Sequence, residues 1–153
     1  MAITNDVAFH AMVEMAISRA FEEVIQRVFK ELQTEIQNDI YNAYSPQDYQ
    51  RTYGLLDAWE TLVHGMNAEV TFRPEMLPLN PTAWQHGSVT SGGYTDIRQH
   101  IFDILEQGYG AYNYHKGKPI PSRPMWDLFI AKIDAKMDKW IRSALRGQGL
   151  MVM

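Results

Sequence analysis

The most constraining feature of the sequence is an apolar pattern with helical spacing over residues 6 to about 43. Apolar residues recur there at intervals of three and four, as one face of an α-helix requires. Asn5 or Asp6 is a suitable N-cap, and Ser45-Pro46 is expected to end the helix. The positions of this apolar stripe are Phe9, Met12, Val13, Ala16, Ile17, Ala20, Phe21, Val24, Ile25, Val28, Leu32, Ile36 and Ile40.

The predicted helix is long for a chain of 153 residues. At ~1.5 Å per residue, an unbroken helix over this stretch approaches ~55 Å, well beyond the diameter of a small domain. We therefore expect either a break in the helix or an end that rests on another subunit.

The centre of the chain predicts smaller elements. Residues 55–64 and 68–73 resemble the two strands of a hairpin around Gly65-Met66-Asn67, although the first of them could instead be helical. Residues 73–93 carry three prolines and three glycines and predict a long loop, which in a compact domain is usually functional or mobile. Residues 96–107 predict a short helix closed by Gly108.

The last segment predicts an amphipathic helix that ends at Gly147. Ser122 is expected to cap it, and Pro124 falls in its first turn, where a missing N–H costs little. Its expected buried stripe is Trp126, Phe129, Ile130, Ile133, Met137, Trp140, Ile141 and Leu145. The fold class is therefore α+β: a long N-terminal helix, a small antiparallel sheet, a short central helix and a C-terminal amphipathic helix, in a single domain over residues 1–153.

Composition favours a folded domain, with 46% hydrophobic and 21% charged residues. Cysteine is absent, and the sequence shows neither a secretory signal nor an apolar run long enough for a membrane span. We expect a cytosolic chain without membrane contact.

The charge is distributed unevenly along the sequence. Residues 1–60 hold four basic and ten acidic residues, whereas residues 115–153 hold eight basic and three acidic residues. Such a chain either folds its ends together or presents opposite charges that suit head-to-tail self-association. The net charge of −4 argues against general nucleic-acid binding.

No motif for catalysis, a cofactor or a metal emerges. The glycine-plus-lysine segment of residues 110–118 has the wrong spacing for a phosphate loop, and the five histidines are scattered. Asp96 and His100 could share a helix face, but an exposed ion pair explains them without a metal. We expect no enzyme, no cofactor and no metal site.

Two features leave alternatives open. The first feature is a basic stripe on the last helix, which has three possible interpretations: a solvated helix face, a phosphate contact or an intersubunit salt-bridge surface. Its residues are Lys132, Lys136, Lys139 and Arg142. The second feature is the tyrosines in turn-rich regions, which are either core residues or interface residues, since tyrosine adds amphipathic area at low entropy cost. These tyrosines are Tyr44, Tyr49, Tyr53, Tyr109, Tyr112 and Tyr114.

Three segments, in this order, resemble one known family. The sequence "YSPQDYQRTYGLLDAW" is similar to the Arg-Thr-Gly-x-Leu segment of tail-completion proteins from long-tailed phages, which are minor tail or neck components. The sequences "ILEQGYGAY" and "SRPMWDLFIAKIDAKMDKWI" resemble two later segments of that family. The resemblance spans roughly residues 8–145. This chain departs from the family pattern at Tyr53, which is inserted, at Tyr109 in place of threonine, and at Trp126 in place of leucine.

The resemblance implies an α+β subunit of a homo-oligomeric ring, commonly a hexamer, at the head–tail junction of a virion. It leaves open whether the subunit is a tail-completion protein, a tail terminator or a head–tail joining protein. Implied partners are further copies of the chain, the adjoining head-completion and tail-tube proteins, and DNA that passes through the lumen without sequence-specific binding. The implied location is the virion, and the host cytoplasm during assembly. The matching positions and nearby tyrosines, taken as interface candidates, are Tyr49, Arg51, Thr52, Gly54, Leu55, Leu56, Glu106, Gly108, Tyr109, Arg123 and Pro124. The alternatives are a non-viral oligomeric adaptor or a small enzyme whose site has no recognisable motif.

Overall fold

The computed structural model describes residues 3–43, 53–77, 98, 101–108 and 122–152. It shows a long N-terminal helix, a two-stranded antiparallel sheet and a C-terminal helix, which confirms the α+β class. The chain divides into two compact units: unit 1 comprises Met1–Thr34, Glu60–Thr71 and Phe129–Met153, and unit 2 comprises Glu35–Trp59 and Phe72–Leu128.

The first helix, α1, spans Ile3–Glu35 and continues into a π-helix over Ile36–Asn42. The predicted extent is therefore confirmed, and over it the helix is not interrupted but changes type at Ile36. In a π-helix each N–H bonds five residues back instead of four, so the turn widens. The π-helix buries Ile36 and Ile40. The expected stop at Ser45-Pro46 lies outside the described residues.

The core of unit 1 draws on both long helices. α1 contributes buried residues at helical spacing, and α4, which spans Met125–Gly147, adds Phe129, Ile133 and Ala144. Polar contacts flank this core: Lys136 Nζ lies 2.7 Å from Glu31 Oε1, and Gln26 donates to the Thr61 hydroxyl at 3.4 Å. The buried α1 residues are Ala20, Val24, Ile25, Val28 and Leu32.

The beginning of α1 departs from the expected stripe. Phe9 and Met12 were expected to face the core, yet each is 57% exposed. Full burial on α1 begins only at Ala20. The helix is ten residues longer than α4 (33 against 23) and far longer than either six-residue strand. Among the described residues, these shorter elements leave the first turns of α1 exposed.

Both alternatives for the first hairpin segment occur, one after the other. A short helix, α2, spans Gly54–Asp57, and strand β1 then spans Trp59–His64. Strand β2 spans Asn67–Phe72 and pairs with β1 across a turn at Gly65 and Met66.

Helix α3 spans Ile101–Gln107, and Gly108 follows with a left-handed φ of 74°, so glycine closes the helix as predicted. The predicted start of this helix, like most of the predicted loop of residues 73–93, lies outside the described residues. The part of that loop that is described forms a 3₁₀ turn at Pro74–Met76.

Helix α4 begins and ends differently from its prediction. Ser122 does not cap it, because the Ser122 hydroxyl donates to the backbone carbonyl of Glu106. Pro124 lies just before the first helical residue, Met125, and its carbonyl accepts from Leu128 N–H at 3.5 Å.

The buried stripe of α4 is shifted from the predicted one. Trp126 is 38% exposed and Ile130 is 40% exposed, although both were expected to be buried. Met125 and Ala144, which were not in the predicted stripe, are almost fully buried.

The glycine that terminates α4 is Gly149. Its φ of 81° is left-handed, Gly149 N–H bonds to Arg146 O at 3.0 Å, and Leu150 N–H bonds to Leu145 O at 3.0 Å. This pair of bonds is the Schellman motif. Gly147, where the sequence places the stop, is the last helical residue.

Candidate functional site

Two of the three resembling segments meet in unit 2, where α3 ends and α4 begins. The Glu106 carboxylate accepts a hydrogen bond from Trp126 N–H at 2.6 Å. Trp126 is the second residue of α4, so this N–H is one of the donors that no intrahelical carbonyl satisfies. Glu106 therefore caps α4 from a distance of 20 residues, and its charge lies where the helix dipole favours an anion.

Arg123 bonds through both its backbone and its side chain. Its N–H donates to Leu105 O at 2.8 Å, and its guanidinium Nη1 donates to Ile40 O at 3.3 Å. The second contact reaches a backbone carbonyl of the π-helix. Arg123 thus links the π-helix, α3 and α4 within unit 2.

The Gly54–Leu56 segment belongs to the same unit. Leu55 N–H donates to the Tyr41 hydroxyl at 3.2 Å, and the Tyr41 and Tyr53 rings lie 4.7 Å apart. Tyr53 has a left-handed φ of 55°, which is uncommon for any residue other than glycine. Leu56 N–H bonds to Tyr53 O at 3.0 Å, so the strained residue starts α2.

Four aromatic rings form a cluster beside this segment. Phe102 on α3 lies 5.1 Å from Trp59 and 4.7 Å from Phe72, both nearly perpendicular. Trp126 stacks on Trp59 at 6.2 Å with an interplanar angle of 7°. Trp126 also meets Phe102 edge-to-face at 6.4 Å, and the residue stays 38% exposed.

The interface candidates divide by accessibility. Gly54 and Leu55 are buried, Leu56, Glu106, Gly108 and Arg123 are half-buried, and Pro124 is exposed. Tyr49, Arg51, Thr52 and Tyr109 lie outside the described residues. The structure therefore brings Glu106, Arg123 and Pro124 together, and their assignment to a subunit interface stays a prediction.

Unit 1 carries a separate apolar surface on the first turns of α1. We call it the Met12 face: Ala8, Phe9, Met12 and Met15, which are three and four residues apart and therefore neighbours on the helix. All four are exposed. Seven residues further on, which is about two turns, the same side of the helix carries the exposed residues Arg19 and Glu22. The Met12 face is therefore on the solvent side of α1.

An open groove of about 590 Å³ lies between α1, the hairpin and α4 of unit 1. Its apolar lining comes from all three elements, and two of these side chains, Leu62 and Met66, are 39% and 63% exposed. His64, Asn67 and Glu69 supply its polar groups. The main apolar lining residues are Phe21, Val24, Ile25, Val28, Leu62, Met66, Met137 and Ile141.

The basic stripe of α4 is partly paired within the chain. Lys136 binds Glu31 at 2.7 Å and lies 5.6 Å from the Trp140 ring, and Arg142 binds Asp138 through Nε at 2.8 Å. These contacts reduce the positive charge that the stripe offers to phosphate. The stripe stays consistent with a solvated face or an intersubunit surface.

Sequence reasoning missed the Met12 face and the cap at Glu106. The spacing of Ala8, Met12 and Met15 at i, i+4 and i+7 could have shown a second apolar side on α1. No local signal marks Glu106 as a cap, because the helix that it caps begins 19 residues later.

The part of the chain that the structure describes holds no cluster of three His, Asp or Glu residues able to bind a metal ion. None of its helices has an apolar stretch of the length and hydropathy that crossing a membrane requires.

Comparison with known proteins places most of the chain in one family. The family model YomN matches residues 5–146, which include nearly all of both long helices and the whole hairpin. No curated protein and no solved structure matches the chain. The chain therefore belongs to the YomN family, a phage-derived family of proteins.

Proposed function

We propose that this protein is a structural virion protein of a tailed phage, which forms a homo-oligomeric ring at the head–tail junction. The observation that carries the proposal is the Met12 face, an exposed apolar surface on the solvent side of a helix. Large exposed apolar patches mark surfaces that another molecule covers. Because the chain belongs to a phage-derived family, we propose that the Met12 face is covered inside a virion.

The role fits the charge of the chain. DNA must slide through a ring at this junction, and a basic lumen would hold phosphates through counterion release. The chain carries a net charge of −4, which suits a lumen that DNA passes without binding. This role needs neither a catalytic site nor a cofactor, and we propose that the protein is not an enzyme.

Particles of the encoding phage test the proposal directly. We expect antibody labelling in electron micrographs to mark one position per particle, between head and tail, and the gene deletion to leave heads and tails unjoined. Absence of the protein from purified particles would overturn the proposal in favour of a non-viral oligomeric adaptor. Negative-stain images of the purified oligomer would give the number of copies in the ring, for which we propose six.

A further inference from the structure

The first turns of α1 are apolar over more of their circumference than the Met12 face alone. Val7 is 66% exposed and Ala11 is also exposed, and these two residues lie four apart on the side of the helix opposite Phe9. We call them the Ala11 side. At ~100° per residue, the exposed apolar arc runs from Val7 through Ala11 and the Met12 face to Phe9, over roughly 200°.

An arc of this width needs cover from two directions. The apolar stripe that a helix turns to one packed surface is typically somewhat more than about 100° wide. A single partner helix or a flat surface would therefore leave one side of the arc in water. The only polar residues between Val7 and Met15 are His10 and Glu14, and both are exposed outside the arc.

A lipid surface does not suit this segment. Helices that lie in the membrane interface carry lysine and arginine on their polar side, where these residues attract anionic lipids. The first lysine or arginine of this chain is Arg19, whereas Asp6 and Glu14 are acidic. The charge of the segment therefore favours a protein surface as its cover.

The two sides of the arc complement each other in size. The Ala11 side offers the smaller side chains of Val7 and Ala11, whereas the Met12 face carries the large side chains of Phe9 and Met12. Small residues let two helix axes approach closely, and large residues opposite them fill the space that they leave. Methionine also adapts to irregular gaps. The Met12 face of one copy therefore fits the Ala11 side of another copy.

We infer that the first turns of α1 from three or more copies pack side by side and parallel, with the Met12 face of each copy on the Ala11 side of the next. A copy in a ring of three or more has two different neighbours, one for each side of the arc, whereas a copy in a pair has one neighbour. The inference rests on the proposed ring and names a contact between its neighbours. His10 and Glu14 stay in water outside this contact.

The first test compares self-association of the wild type with that of three variants by light scattering and sedimentation. Met12→Glu alters the Met12 face, and Val7→Glu alters the Ala11 side. The control, His10→Glu, adds a carboxylate in the same turns but outside the arc, where the native side chain is 71% exposed. We expect Met12→Glu and Val7→Glu each to weaken self-association about 100-fold, because the contact would bury a carboxylate, and the control to associate like the wild type.

All three substitutions should leave the single copy folded. The three positions are exposed in it, and acidic residues are favourable in the first turns of a helix. Circular dichroism verifies the helix content, and the uncharged Met12→Gln replaces Met12→Glu if that variant does not fold.

Cross-linking gives the sharper readout, because the chain contains no cysteine. Ala11→Cys/Met12→Cys places one thiol on each side of the arc at the same level of the helix. Consecutive helical residues point about 100° apart, so these two thiols do not bridge within one copy. Oxidation with diamide should link the copies into a ladder of covalent multimers that ends at the number of copies in the ring. Each single-cysteine variant should stay monomeric on a denaturing gel.

Three outcomes would overturn the inference. If the wild type associates and both Met12→Glu and Val7→Glu associate equally well, another surface forms the oligomer and the proposed function stands. If Met12→Cys alone is linked into dimers and the double variant gives no ladder, two Met12 faces meet each other in a pair. If the wild type is monomeric at every concentration, the inference is also wrong, and labelling of phage particles decides the proposed function by itself.

Discussion

At the scale of single residues, Glu106 is an unusual capping group because it belongs to a different helix from the one it caps. N-caps are normally the residue just before the helix, with a short Ser, Thr, Asp or Asn side chain. Here the Ser122 hydroxyl donates to the Glu106 backbone carbonyl, and Pro124 has no side-chain acceptor. Trp126 N–H therefore donates to the Glu106 carboxylate instead. The start of α4 depends on α3 being in place.

We expect Glu106→Ala to lower the free energy of unfolding by about 1 kcal/mol, since a lost cap and a lost dipole interaction act together. Urea denaturation followed by circular dichroism measures this change. Asp134→Asn is the control, because Asp134 is an exposed carboxylate in the middle of α4 and should change stability by less than about 0.5 kcal/mol. Equal stability of the two variants would show that the 2.6 Å contact contributes nothing.

At the scale of elements, two glycines lie at the end of α4, and the sequence alone does not show which of them terminates the helix. Gly147 is helical, and a Cβ there would meet no atom within 4 Å. Gly149 has equally open surroundings, but its φ is +81°. The two sites therefore differ in backbone conformation and not in the room that they offer a side chain.

We expect Gly147→Ala to stabilise the protein by up to about 1 kcal/mol, because alanine is the better helix former. Gly149→Ala should destabilise it by about 1 kcal/mol, because an L-residue in the left-handed region is strained. Each variant is the control for the other in thermal unfolding. The same sign for both would mean that the Schellman motif does not form.

The elements themselves were largely predictable, because the spacing of apolar residues over two long stretches leaves few alternatives to α1 and α4. The π-helix was not, since Ile36 and Ile40 are four apart and fit an α-helix equally well. The cap at Glu106 was missed because it depends on a tertiary contact. For the candidate site, the resemblance selected Glu106 and Arg123, which do come together, whereas the exposed Phe9 and Met12 were assigned to the core. Periodicity shows which side of a helix is apolar and cannot show whether anything covers it.

At the scale of the whole molecule, the uneven charge should govern how fast copies meet. Attraction between the acidic start of α1 and the basic α4 is screened beyond about 10 Å at 0.1 M salt. We expect the association rate to fall several-fold between about 0.05 and 0.5 M NaCl, with a smaller change in affinity because the contact is mainly apolar. Stopped-flow light scattering measures the rate.

Asp6→Asn/Glu14→Gln is the matched variant for this prediction, because it removes both acidic groups of the segment and leaves the Met12 face unchanged. Its association rate should depend little on salt. A wild-type rate that is flat or rises with NaCl would show that the charges do not steer the encounter.

The proposed ring requires each copy to contact its neighbour through unlike surfaces, and this requirement has a geometric consequence. A contact between unlike surfaces has no two-fold axis, so every copy in a closed ring has the same orientation about the ring axis. Such a ring is polar, and its upper and lower rims expose different residues. A polar ring can bind one kind of structure above and another below, as an adaptor between a capsid and a tube must do.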